Sequence, residues 1–231
     1  MQPCLLALCE RHGEEKIKRA AVMTAVVQIN PSQALFVTCK HAIKDHTKLF
    51  FVDETGAMSM EKWTIFHHPG SDVDLSFALI PRSIPPGQIK VSESPINPGT
   101  VLSHARNRLE KEESSPFTIH TATARNLPIQ AVINLVDPEW TKFTLSTDEE
   151  GFRTAKSLGV RPLYRVLEME SWPGVSGSAL WDKYGSIRGI VCGGSMRAEE
   201  TRRLIYLPAK TVMRETRLVL AQPEVRAQIK C

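Results

Sequence analysis

The sequence predicts an all-β protein of two barrel-like units in series, followed by one C-terminal helix. Three observations lead there. Short β-rich runs recur roughly every ten residues, the rhythm of a closed barrel or sandwich. A stretch dense in proline and glycine interrupts them midway, and after Pro208 the apolar period changes from strand-like to helical.

In chain order, strands are expected over Ala21–Ile29, Ala34–Cys39, Lys48–Val52, Trp63–His67 and Leu75–Ile80. The intervening Asn30-Pro31-Ser32, Asp53–Gly56 and Pro69-Gly70 read as turns. Residues 81–99 hold five prolines and two glycines, which suits a connection between units with a boundary near residue 95. The expected domains are therefore 1–95 and 96–231. Strands resume over Thr100–Ala105, Phe117–Thr123, Ile129–Val136, Leu163–Met169, Ser178–Asp182, Ile187–Cys192 and Leu204–Leu207. The polar stretch Asp137–Arg161 reads as a long loop with some local structure. From Pro208, Ala209, Val212, Met213 and Leu220, with Thr216 between them, line one helical face, and Pro223 ends or kinks the helix.

Composition narrows the functional classes. With 42% hydrophobic and 23% charged residues the 231-residue chain has the balance of an ordinary globular protein. The net charge of +4 is modest, and the short basic groups at Lys16–Arg19 and Arg202-Arg203 carry no interleaved aromatics, so nucleic acid is not expected as a partner. No apolar run approaches the roughly 20 residues a membrane span needs, so no membrane partner is expected. The run Cys4–Cys9 is too short for a signal-peptide core, and five cysteines are an odd, sparse set; both suggest reduced thiols and a cytoplasmic location. Two metal readings are weak. Cys4, Cys9 and His12 form half a zinc pattern without a second half, and His67, His68, Asp72 and Asp74 crowd one short loop that rarely supplies a full site. Neither a metal nor another cofactor is expected.

The segment SWPGVSGSALWD, Ser171–Asp182, raises the chemical question. A serine hydroxyl is a poor nucleophile unless a base takes its proton and a third group orients the base. Ser176 lies between Gly174 and Gly177, which allow backbone angles other residues avoid. That geometry would turn the N–H groups of Gly174 and Ser176 toward a developing oxyanion. His41 ends an apolar strand in ALFVTCKH, a position from which it is expected to face a cleft. Asp74 opens the apolar strand of DLSFALI.

These segments resemble the catalytic blocks of the trypsin/chymotrypsin-like serine proteases: TCKH for the TAxH block, DLSF for DLAL, and GVSGSA for GxSGSP. The order His, Asp, Ser is that family's, and differs from the α/β-hydrolase and subtilisin orders. GSIRGIVCGG, Gly185–Gly194, resembles the strand that flanks the substrate backbone. The resemblance implies two six-stranded antiparallel Greek-key β-barrels of chymotrypsin type, with His41 and Asp74 from the first and Ser176 from the second. It implies a serine endopeptidase acting on polypeptide through an acyl-enzyme. It also favours Asp74 over Asp72, because the family's aspartate directly precedes residues like Leu75.

Three departures stand out. Val175 occupies the place where zymogen-type members carry an aspartate for the freed N-terminal amine, so activation through that ion pair is excluded. Cys192 stands where relatives often have a serine whose hydroxyl approaches the aspartate; a thiol is a weaker donor. No cysteine pair brackets His41, and Cys39 reads as a small buried residue. By the same resemblance Glu170 falls at the floor of the primary pocket, where a carboxylate favours Arg or Lys. The alternative is that Glu168 and Glu170 simply share the exposed face of a strand. Gly193 and Gly194 are expected to line the pocket with Cys192 and let substrate backbone approach closely. A regulatory or precursor partner is compatible with a small protease of this kind. The competing reading is a catalytically silent protease fold used for binding or scaffolding.

Overall fold

The computed structural model describes residues 2–12, 16–43, 49–53, 55, 58–59, 64–70, 73–107, 116–125, 130–133, 143–146, 164–194 and 203–229. The first sheet uses β1 (Leu5–His12), β2 (Lys16–Asn30), β3 (Gln33–Thr38), β4 (Leu49–Val52), β5 (Met58–Ser59), β6 (Ile65–His67) and β7 (Ser76–Ile80). They lie side by side in the order β5-β4-β1-β2-β3-β7-β6, antiparallel throughout. β3 and β7 are buried along their whole length, which explains why both read as unbroken apolar runs.

The second sheet holds β8 (Val101–Asn107), β9 (Phe117–Thr123), β12 (Arg165–Glu168), β13 (Ala179–Asp182), β14 (Ile187–Gly194) and β15 (Arg203–Pro208). Its order is β12-β15-β14-β13-β8-β9. A separate hairpin pairs β10 (Gln130–Ile133) with β11 (Phe143–Ser146). The architecture is the chymotrypsin-like double β-barrel, with six strands in the second sheet and seven in the first, where β5 spans only two residues. β1 departs from expectation: the apolar run Leu5–Cys9 is a full strand, held between β2 and β4. β11 lies inside the stretch read as a loop, and the rest of Asp137–Arg161 lies outside the described residues.

The connecting segment does not wander. Val91 bridges Ile187, Ile187 N donates to Lys90 O at 2.7 Å, and Ser92 N donates to Ile187 O at 2.9 Å. Arg188 fastens it further through the carbonyls of Ser94 and Pro95 at 3.0 and 2.8 Å.

One apolar core passes through both sheets. It takes Leu6, Leu8, Phe36, Phe77 and Ile80 from the first and Val166, Ile190, Ile205 and Leu207 from the second. The C-terminal helix α1 (Ala209–Leu220) packs on β14 and β15 and buries Ala209, Val212, Thr216 and Val219. Met213 and Leu220 are only partly buried against the core, so the inward stripe sits slightly around the helix from the expected one. Ala221 closes α1, and Pro223 starts the short helix α2 (Pro223–Arg226), where its missing N–H costs nothing.

Candidate active site

Three loops from different parts of the chain converge where the sheets meet. His41 follows β3, Asp74 precedes β7, and Ser176 precedes β13. β3 and β7 pair directly, Thr38 opposite Ser76, which brings the residues beyond their adjoining ends together. His41 Nδ1 lies 2.5 Å from Asp74 Oδ2, and the backbone N–H of His41 donates to Asp74 Oδ1 at 2.9 Å. The other ring nitrogen, Nε2, lies 3.2 Å from Ser176 Oγ. An ionised carboxylate accepts only, so Nδ1 carries the proton of neutral His41 and Nε2 offers its lone pair to the serine. The Asp74 side chain is fully buried while that of His41 is 28% exposed, so the imidazole spans from the interior to the surface.

Asp74 is held on several sides. Its N–H donates to the Tyr164 hydroxyl at 2.9 Å, and its carbonyl accepts from Lys40 N at 3.4 Å. Burial, reinforced by Cys192 and Asp74 nearby, raises the Tyr164 phenol well above its ordinary range, so it stays protonated. The loop leading to Asp74 is fastened to α1. His68 Nε2 meets buried Glu215 Oε2 at 2.9 Å, and Gly70 N donates to His68 Nδ1 at 3.0 Å. With Nδ1 accepting, Nε2 is the nitrogen that donates to the carboxylate.

The serine loop is stitched to the first sheet. Val22 N donates to Ser176 O at 2.8 Å, Thr24 Oγ1 donates to Gly177 O at 2.9 Å, and Thr38 Oγ1 donates to Val22 O at 2.8 Å. Gly174 and Gly177 both adopt positive φ, 89° and 84°. A methyl group at Gly177 would overlap the Val22 carbonyl oxygen and the Thr38 hydroxyl, so both backbone angle and space demand glycine. Among the described residues, neither Gly174 N nor Ser176 N has an acceptor. Val175 is buried among Leu167, Met169, Leu180 and Val191, an apolar seat that has no use for a charge.

Cys39 and Cys192 lie beneath the His41–Asp74 pair, both fully buried. Cys39 Sγ donates to Val191 O at 3.1 Å and Cys192 Sγ to Ile190 O at 3.5 Å. Burial raises both thiols. Cys192 therefore sits behind the aspartate rather than at the surface. The ligand atoms of Cys39, His41 and Asp74 lie within 4.8 Å of one another, yet the thiol keeps its proton and the other two are engaged with each other. Cys4 and Cys9 are buried, and the His12 side chain lies outside the described residues.

Among the described residues, the other histidine side chains are occupied elsewhere. His67 Nδ1 meets Ser76 Oγ at 2.7 Å, His104 Nε2 donates to Glu170 O at 3.0 Å, and His120 stacks on Trp172 with centroids 3.9 Å apart. Asp72 lies outside the described residues. Glu170 and Glu168 help line a cavity of about 260 Å³ with His120, Thr123 and Arg125, and Glu168 faces Arg125 at 3.7 Å. Gly193 follows a bulge in β14 and has open space beside it, and Gly194 ends that strand.

Sequence reasoning did not single out Tyr164, Glu215 or Thr24. Nothing local marks them, because each acts on a partner more than 85 residues away in the chain.

No family model matches the chain, and no curated protein matches it in sequence. Solved structures do match in fold. The Rv3671c protease of M. tuberculosis in its active form superposes with a TM-score of 0.62 at 14% identity, over 94% of this chain and 80% of that one. Kallikrein-related peptidase 10 gives 0.57 at 14% identity, over 95% and 96% of the two chains. The HtrA-type protease AlgW with a decapeptide gives 0.58 at 11% identity, over 94% and 63%. The chain thus has the trypsin/chymotrypsin fold of the serine proteases.

Proposed function

We propose that the chain is a serine endopeptidase in which Ser176 is the nucleophile, His41 the general base and acid, and Asp74 the group that orients His41. The observation that carries this is the single imidazole tied at one nitrogen to a buried carboxylate and at the other to a serine hydroxyl. A separation of 3.2 Å is a workable resting distance for a bond that shortens once substrate is seated.

In the first step Ser176 Oγ bonds to the scissile carbonyl carbon while its proton passes to His41 Nε2. The electron pair displaced onto the carbonyl oxygen faces the N–H groups of Gly174 and Ser176, whose unspent hydrogen bonds support their role as the oxyanion hole. The intermediate collapses, the C–N bond breaks, and the leaving amine takes the proton from His41. Water, deprotonated by the same nitrogen, then releases the acyl group from Ser176. Asp74 stays ionised and stabilises the imidazolium formed in between. On this reading the substrate is polypeptide, and Glu170 supports a preference for Arg or Lys.

Labelling with a fluorophosphonate probe tests the proposal. The wild-type chain is expected to label, and Ser176→Ala and His41→Ala to abolish it. A folded wild-type chain that does not label would overturn it and favour the scaffolding reading. Fluorogenic peptides with Arg or Glu before the cleaved bond would test the preference separately.

A further inference from the structure

With Val175 in an apolar seat, something other than a buried ion pair must hold the serine loop in its open-handed conformation. Asn107, at the end of β8, is placed to do so. Its backbone N–H donates to Gly174 O at 3.0 Å. Its carboxamide Nδ2 donates to Leu8 O and to Ala21 O, each at 3.1 Å, with Cys9 Sγ at 3.6 Å. Leu8 and Ala21 are cross-strand partners in the β1–β2 hairpin, immediately beside its bulge. Asn107 is fully buried, and only an NH2 group can supply both carbonyls; the flipped amide would set an oxygen against two oxygens.

We propose that Asn107 is a positioning residue that ties the oxyanion loop to the N-terminal hairpin, so that the site is assembled without an activating charge. The chain of contacts is short: hairpin carbonyls, Asn107 side chain, Asn107 backbone, Gly174 carbonyl. The Gly174–Val175 peptide is then fixed at its oxygen, which limits rotation of the N–H groups on either side of it. A carboxylate at 107 could not donate, and a shortened side chain would take this donor away from the Leu8 and Ala21 carbonyls and leave the end of β8 free to shift. This inference rests on the proteolytic reading above for its consequence, although the clamp itself is a matter of hydrogen bonding.

The experiment compares fluorophosphonate labelling rates of wild type, Asn107→Ala and Asn107→Ser, with Val225→Ala as a control that loosens the core away from the loop. Measured well below each variant's melting temperature, Asn107→Ala should label roughly 100-fold more slowly, the scale for a displaced catalytic geometry. Asn107→Ser, which keeps one donor, should fall between. The control should label at the wild-type rate despite its lower melting temperature. On a fluorogenic peptide, kcat should fall with KM nearly unchanged, since the oxyanion contacts act in the transition state. Folded Asn107 variants labelling at the wild-type rate would overturn the clamp and leave the protease reading intact.

Should the variants not fold, hydrogen exchange of the wild-type chain in sub-denaturing urea decides the matter. The amides of Asn107, Val175 and Gly177 are expected to open together with those of the β1–β2 hairpin. Loop amides that open independently and far faster would refute the clamp. A wild-type chain that shows the linked opening but never labels would instead refute the proteolytic reading alone.

Discussion

Gly177 and Gly87 share nearly the same backbone angle, φ of 84° and 80°, but live in opposite surroundings. A Cβ at Gly87 meets nothing within 4 Å, whereas one at Gly177 overlaps Val22 O and Thr38 Oγ1 and stands 3.0 Å from Thr38 Cα. Substituting alanine at each therefore separates the cost of the angle from the cost of the contact. At Gly87 the left-handed angle costs about 1–2 kcal/mol, offset in part by a stiffer unfolded chain, for a net loss of about 1 kcal/mol. At Gly177 the overlap is with backbone, which cannot rotate away. Relief requires moving β2 from the loop, at about 1–3 kcal/mol for overpacking. That movement also weakens the three hydrogen bonds among Val22, Thr24, Thr38, Ser176 and Gly177, each worth about 1 kcal/mol. With all three lost the total is roughly 5–7 kcal/mol. Urea unfolding reads it directly: with a slope of about 3 kcal/mol per molar, the midpoint should fall by roughly 0.3 M for Gly87→Ala and by roughly 1.7–2.3 M for Gly177→Ala. Equal shifts in the two variants would refute the close approach of the sheets at Ser176.

Burial lowers the His104 imidazole to about 4, below its ordinary 6.5, so the unfolded chain takes up the proton first. Stability present above pH 6.5 should be lost as pH falls through 4, on the order of 3 kcal/mol in full, and His104→Gln should flatten that part of a stability–pH curve. Tyr164→Phe strands the Asp74 N–H in a buried site and should cost about 1–3 kcal/mol in chemical denaturation. Glu215→Leu should cost about 3 kcal/mol by leaving His68 without its buried carboxylate, with Glu215→Gln milder because an amide oxygen still accepts. Cys4, Cys9, Cys39 and Cys192 are buried, so a thiol reagent should leave these four untouched in the native chain and reach all five cysteines in denaturant.

Much of this architecture is written locally. β3 and β7 are legible as apolar runs between turn residues because both faces are buried, and α1 because its period differs from everything before it. β1 was obscured because its second half, Glu10–His12, is polar; pairing with β2 and β4 is what makes it a strand. For the site, the short blocks around His41, Asp74 and Ser176 carried the resemblance on which the proposed chemistry rests. Each block is a strand end or a glycine turn, and such features depend on neighbours in sequence. Their meeting at 2.5 and 3.2 Å is a different matter, set by the pairing of β3 with β7 and the seating of the serine loop on β2. Tyr164, Glu215 and Asn107 are ordinary residues in sequence. They gain their roles only when distant carbonyls, amides and an imidazole are buried beside them and must be paired there, because no water remains to do it.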